Sequence, residues 1–326
     1  MTLFGAKGTT AIEISNVIGE VNQDYPKNEE DDEEGQNTKV LFANKFFVSN
    51  TTELIPEFSN LMQQKFNSDV QSLDFKTSEA VEKINFFVKK VTQGKIKKII
   101  STEEISPKTS VILINALHFS GSWLEKFDKR RPELFKSLPP RQIDMIEKLQ
   151  NEWNYNEGND WQALGIPYKN KMAYMYIVLP KNEDGLQSLL QKMDYSIFKE
   201  CTKSKMRDQI TVSIPCFEIS QEFELQEILK KIGITEIFTT KCNLSGMLKD
   251  QNQKLDSVIH KATINVDENG TEASAATEFN FAACCKKLIF KADHPFLYFI
   301  TLNETFGEKK IKEVKVKKVL FMGIYC

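Results

Sequence analysis

Apolar and polar positions along this chain change period several times, and each period predicts an element. Residues 40–49 are mostly apolar and run into Asn50-Thr51-Thr52, which predicts a strand followed by a turn. Residues 78–92 space Val81, Ile84, Val88 and Val91 by three and four, one apolar helical face, with Gly94 placed to stop it. Residues 109–119 (TSVILINALHF) are a continuous apolar run between Pro107 and Gly121, as in a strand buried on both faces. Residues 172–179, closed by Pro180, repeat that pattern. Residues 209–219 alternate as a strand, and 223–232 set Leu225, Ile228, Leu229 and Ile232 on one helical face with Gly233 as cap. Residues 296–302 and 314–325 predict two closing strands, and Ile311, Val314 and Val316 alternating with lysines predict a hairpin with one solvated face. Helices gather early and strands dominate later without regular βαβ alternation, so the class is α+β with large sheets.

Composition removes several function classes. The chain has 326 residues, 41% hydrophobic and 10% aromatic, which supplies a large core and excludes global disorder. Its 43 basic and 45 acidic side chains give a net charge of −2, no surplus with which to hold nucleic acid or an anionic membrane. No apolar run approaches the roughly 20 residues of a membrane span. Residues 1–7 lack the basic and apolar regions of a signal peptide. Cys201, Cys216, Cys242, Cys284, Cys285 and Cys326 have the spacing of neither a disulfide scaffold nor a zinc site. Adjacent cysteines, with Cα atoms about 3.8 Å apart, do not reach the usual disulfide separation of about 5.5–6 Å. A cytoplasmic, reducing compartment is the default, while N-x-S/T triplets at Asn50, Asn243, Asn269 and Asn303 keep an extracellular one open. His118, His260 and His294 are not spaced as metal ligands, and no cofactor or metal is expected. The acids at 29–34 repel one another and predict a solvated loop.

Between residues 262–266 and His294 lies a segment that fits neither core nor loop. Every second residue from Thr271 reads Thr271, Ala273, Ala275, Thr277, Phe279, Phe281 and Ala283, a face without charge. The other parity carries Glu272, Ser274, Ala276, Glu278, Asn280, Ala282 and Cys284. The pattern is that of a half-buried strand, long against the usual five or six residues, yet alanine is a poor strand former. A conditional strand, an amphipathic edge strand and an Ala-rich helical turn all satisfy it.

These residues also carry a resemblance. GTEASAAT (Gly270, Thr271, Glu272, Ala273, Ser274, Ala275, Ala276, Thr277), preceded by Glu268 and followed by FKADHPFLYFI, resembles the hinge and reactive loop of the serpin family. Residues 111–127 (VILINALHFSGSWLEKF), with Asn115, resemble the stretch crossing the family's central sheet and ending at the breach tryptophan, here Trp123. Residues 84–96 are similar to the helix lying across that sheet, and VIHKA at 258–262 puts His260 at the shutter position. Residues 212–219, 229–246 and 319–324 match in kind and order. The likeness spans the chain from Phe4 and is to the ovalbumin-like intracellular branch.

The resemblance implies a single domain over 1–326 with a reactive loop at 267–290. It implies a large, mostly antiparallel central sheet, two further sheets and surrounding helices. The activity implied is inhibition, not enzymatic catalysis: a protease cuts the loop, is held as an acyl-enzyme, and the freed loop inserts into the central sheet as a strand. Thr271 through Ala283 suit insertion because the inward parity holds no charge, and Gly270 supplies backbone freedom where the strand folds over. Counting from Glu268 as the family does places the reactive bond at Cys284–Cys285, which suits chymotrypsin- or elastase-like serine proteases. Lys286 or Lys287 is the alternative and would select trypsin-like enzymes. A papain-like cysteine protease also passes through an acyl-enzyme and stays open as a target.

Heparin is not expected, because the corresponding basic helix here leads into the acids at 29–34. The expected state is a monomer, with loop–sheet polymers as its failure mode. Residues 1–7 resemble the end of a helix behind the sheet; family members carry an opening helix and a Ser/Pro shutter stretch before it. Without them, the sheet is expected to be less supported and insertion impaired. A non-inhibitory chaperone, storage or carrier protein is the competing reading. A cysteine hydrolase lacks any local signature.

Overall fold

The computed structural model describes residues 1–18, 38–66, 68–150, 152–169, 171–250, 253–269, 288–306 and 313–326. Its strands in chain order begin with β1 (Thr38–Ser49), β2 (Val70–Leu73), β3 (Val111–Gly121), β4 (Lys129–Phe135), β5 (Arg141–Gln150), β6 (Trp153–Glu157), β7 (Trp161–Pro167) and β8 (Ala173–Pro180). They continue with β9 (Met206–Arg207), β10 (Ile210–Pro215), β11 (Phe217–Glu224), β12 (Leu255–Val266), β13 (Leu288–Lys291), β14 (Phe296–Phe306) and β15 (Glu313–Tyr325). The helices are α1 (Thr2–Gly5), α2 (Gly8–Ile18), α3 (Pro56–Phe66), α4 (Glu79–Val91), α5 (Leu186–Lys192), α6 (Tyr195–Cys201) and α7 (Gln226–Lys231). The class is α+β, as the pattern predicts.

The chain forms two compact units. The first gathers Met1–Asp31, Val40–Phe119 and Ile219–Ile264. Its five-stranded sheet has the order β11-β12-β3-β1-β2. The β12–β3 and β1–β2 pairs are parallel. Strand alternation divides the sheet's side chains between two cores. Phe46, Val48, Val111 and Val258 join one core with Ile14 and Phe58. Ala43, Phe47, Ile112, Ile114, Ala116 and Ile259 join the other, where α4 lays down Ala80, Val81, Ile84 and Val88. That helix has Glu79 and Glu82 in its first turn and Lys89 and Lys90 in its last, each favourable to its dipole. Gly94, at φ +81°, and Gly233, at φ +101°, adopt the left-handed conformation that ends their helices.

The second unit comprises Asp32–Lys39, Ser120–Glu218 and Asn265–Cys326. One sheet runs β13-β10-β5-β4 and the other β15-β14-β8-β7-β6-β9. β14 and β15 are antiparallel, pairing from Phe296↔Tyr325 to Phe306↔Glu313, the strand arrangement that the lysine-alternating stretch predicts. Of the sequons, Asn303 is buried in this unit with its amide donating to the Tyr176 hydroxyl at 3.1 Å, a position closed to glycosylation in the folded chain. Among the described residues no helix is long and apolar enough to cross a membrane.

Candidate functional site

Two polar constellations stand out, one in each unit. In the first unit β12 and β3 run side by side with paired residues from Leu255↔Val111 to Ile264↔Phe119. His260 lies opposite Asn115 in this register. The His260 Nδ1 bonds Asn115 Oδ1, and Asn115 Nδ2 donates to Asn44 Oδ1 on β1. Three adjacent strands are thereby tied by a polar row in a sheet whose two faces pack mainly apolar side chains. Such groups are retained in a core only when they are bonded, since each lost partner costs about 1–3 kcal/mol. Burial holds His260 below the ordinary imidazole range, so it is neutral at pH 7. Its ring also stacks on Phe223, with centroids 6.4 Å apart. A second bond crosses the same pair of strands: His118 Nδ1 to Thr263 Oγ1 at 2.8 Å, again between register partners.

In the second unit the chain leaving β12 is held by a tryptophan platform. Trp123 is buried and stacks on Tyr168 with ring centroids 4.5 Å apart. Its indole N–H donates to the Asp267 carbonyl at 2.8 Å, and its backbone N–H to the Asn269 carbonyl at 3.0 Å. The Phe127 N–H donates to the Glu268 carbonyl at 3.0 Å. Arg130 spans Asp144 Oδ2 at 2.8 Å and Glu268 Oε2 at 3.1 Å. That pair is half-exposed, so it orients Glu268 more than it stabilises the fold. The backbone just before Gly270 is therefore fixed by main-chain bonds.

Burial raises the thiols of Cys201 to about 12 and of Cys216 and Cys242 to about 11, so none of the three supplies a thiolate at neutral pH. His294 is structural, with Nδ1 on Asp293 at 3.0 Å and Nε2 on the Pro180 carbonyl at 2.8 Å.

The family model described as Serpin (serine protease inhibitor) matches residues 1–326. The chain belongs to the serpin family. It is similar to Serpin B8 of Homo sapiens, 30% identical over 322 residues that cover 94% of this chain and 86% of that protein. The leukocyte elastase inhibitor of Bos taurus is 29% identical over 320 residues, 92% of this chain and 85% of that one. Among solved structures, Serpin48 of Tenebrio molitor, described as a highly specific serpin, superposes with a TM-score of 0.81 at 26% identity, covering 99% of this chain and 86% of that one.

Within this serpin, the described residues set Trp123 against the backbone of Asp267 and Asn269, either side of Glu268, and bond Asn115 to His260 across β3 and β12. Gly270, Thr271, Glu272, Ala273, Ser274, Ala275, Ala276 and Thr277 lie outside the described residues, as do Cys284, Cys285, Lys286 and Lys287. The motifs point to none of Asn44, Arg130, Tyr168 or Thr263 as a partner. Asn44 alone carries a signal, a lone amide inside the apolar run VLFANKFFV.

Proposed function

We propose that this serpin inhibits serine proteases as a suicide substrate, acting as one domain over 1–326 with the reactive loop at 267–290. The observation that carries the reading is the parallel β12–β3 seam followed directly by a chain with an uncharged alternate face, Thr271 through Ala283. A strand turning back after β12 runs antiparallel to β12 and, because β3 is parallel to β12, antiparallel to β3 as well. One parallel ladder would give way to two antiparallel ones, the more stable pairing per residue. Each added backbone bond contributes about 1 kcal/mol net. This gain drives the loop in and carries the acylated protease with it; displacing the protease's reacting groups by even about 1 Å stalls deacylation.

The reactive bond in this reading is Cys284–Cys285, following Phe281, Ala282 and Ala283, a sequence suited to a medium apolar pocket of a chymotrypsin- or elastase-like enzyme. Likeness to the ovalbumin-like intracellular branch supports a target met inside the cell, and the protein acts as a monomer. Reaction with a chymotrypsin-like and a trypsin-like protease, followed by mass spectrometry of the released C-terminal peptide, tests this. The peptide should begin at Cys285. A start at Lys287 or Leu288 moves the bond to Lys286 or Lys287 and the target to trypsin-like enzymes, and no cleavage within 270–287 overturns the reading.

A further inference from the structure

Both polar bonds across the β12–β3 seam stand in the path of an inserting strand, but they lie on opposite faces of the sheet. Asn115 and His260 share their parity with Leu113 and Val258, which pack in the core containing Phe46 and Phe58. His118 and Thr263 share theirs with Ile112, Ile114, Ala116 and Ile259, which pack beneath α4. His118 ends that aliphatic row, only 6% exposed. Its Nδ1 meets Thr263 Oγ1 at 2.8 Å, while its Nε2 is buried and has no partner among the described residues.

We infer that His118 is a positioning residue for strand insertion: bonded to Thr263, it clasps β3 to β12 on the α4 face until the loop enters. This rests on the inhibitory reading above. The His118–Thr263 bond must break when a strand comes between its partners, so it opposes opening. The unpartnered Nε2 has the contrary effect, because opening gives it water and removes the cost of an orphaned buried group. The clasp is therefore a weak one, suited to a sheet that has to part.

The charges around it are specified by the same face. Lys95 lies in the segment after α4, and its positive charge disfavours protonation of His118. On β12, Lys261 donates to the Lys98 carbonyl and to Glu222 of β11, both at 2.8 Å. On β1 the same parity carries Lys39 and Lys45, the latter paired with Asp69 at 2.5 Å. Burial, and then Lys95, hold His118 down to about 4 against an ordinary 6.5. The open seam binds the proton more readily than the closed one, so closure is fully favoured above about pH 6.5 and weakens as pH falls from there towards 4. His260, also lowered, adds in the same direction.

Uptake of a synthetic peptide with the sequence of residues 271–283 by the full, uncleaved chain reads opening of the seam. Thr263→Val keeps the volume and removes the hydroxyl; it should speed uptake at pH 7.5 by about fivefold to tenfold, the scale of one net hydrogen bond. Thr263→Ser should restore the parent rate. His118→Asn, whose amide can occupy the Nδ1 position, should flatten the acceleration of uptake between pH 7 and 5 by at least about half. Parent-like uptake in Thr263→Val, with an unaltered pH profile in His118→Asn, overturns the clasp. A parent that takes up no peptide at any of these pH values overturns the inhibitory reading on which it rests.

Discussion

Thr271→Arg is expected to turn the protein from an inhibitor into an ordinary substrate of the same protease. Thr271 is the first residue of the uncharged parity after Gly270, so it is the first side chain that insertion would bury. A guanidinium there has no acidic partner on its own parity through Ala283. Burying an unpaired charge costs several kcal/mol, and every 1.4 kcal/mol slows a competing step about tenfold. Cleavage at the proposed Cys284–Cys285 bond should be untouched, because the substitution lies far from it in the sequence. Insertion should therefore lose the race to deacylation by about a hundredfold or more, read as a rise in the moles of protein cleaved per mole of protease inactivated. An unchanged ratio would mean that inactivation does not require residue 271 to enter the sheet.

Asn115→Ala is the second large effect, and it acts on the closed sheet. The substitution removes the bond from His260 and the bond to Asn44 together, leaving polar atoms on β12 and β1 without their partner. With about 1–3 kcal/mol for each of the two groups left unsatisfied, a loss of about 2–6 kcal/mol follows. For a chain of this length that corresponds to a fall in the thermal midpoint of about 3–9 °C. Because the lost bonds are the ones that tie β12, β3 and β1 together, the same variant should form loop–sheet polymers faster on mild heating, seen as ladders on a native gel. A midpoint and a polymerisation rate equal to the parent's would show that the polar row is incidental to keeping the seam shut.

Periodicity located the elements whose side chains divide cleanly between core and water. Helix α4 lies within the predicted 78–92 because its apolar face is spaced by three and four, β3 and β8 follow from unbroken apolar runs, and β10 follows from the alternation over 209–219. The strands β4 and β5 escaped notice for the opposite reason. In β4 only Phe135 is buried, with Lys129, Arg130, Arg131 and Glu133 in the strand and its charges met by cross-strand partners such as Asp144 and Glu147. In β5, Met145 and Ile146 are consecutive and both buried, which breaks the alternation. The parallel direction of β12 and β3 is a tertiary fact that neither strand's pattern encodes.

The site was legible in part. His260, Asn115 and Trp123 follow from the motifs around them, and the structure brings His260 and Asn115 together and sets Trp123 on the backbone before Gly270. His118 carried no signal, because a histidine at the end of an apolar run becomes a cross-strand partner only when the register sets it opposite Thr263. Arg130 is similar: it reaches Glu268 from a strand with no apolar period, across 138 residues of sequence.

Denaturing electrophoresis of the protein mixed with a chymotrypsin-like protease tests the central claim most directly. Trapping by insertion predicts a band at the summed mass of the protease and the cleaved inhibitor, stable to heat and detergent, with protease activity lost in proportion. Complete cleavage of the loop with the protease released active and no such band would contradict it.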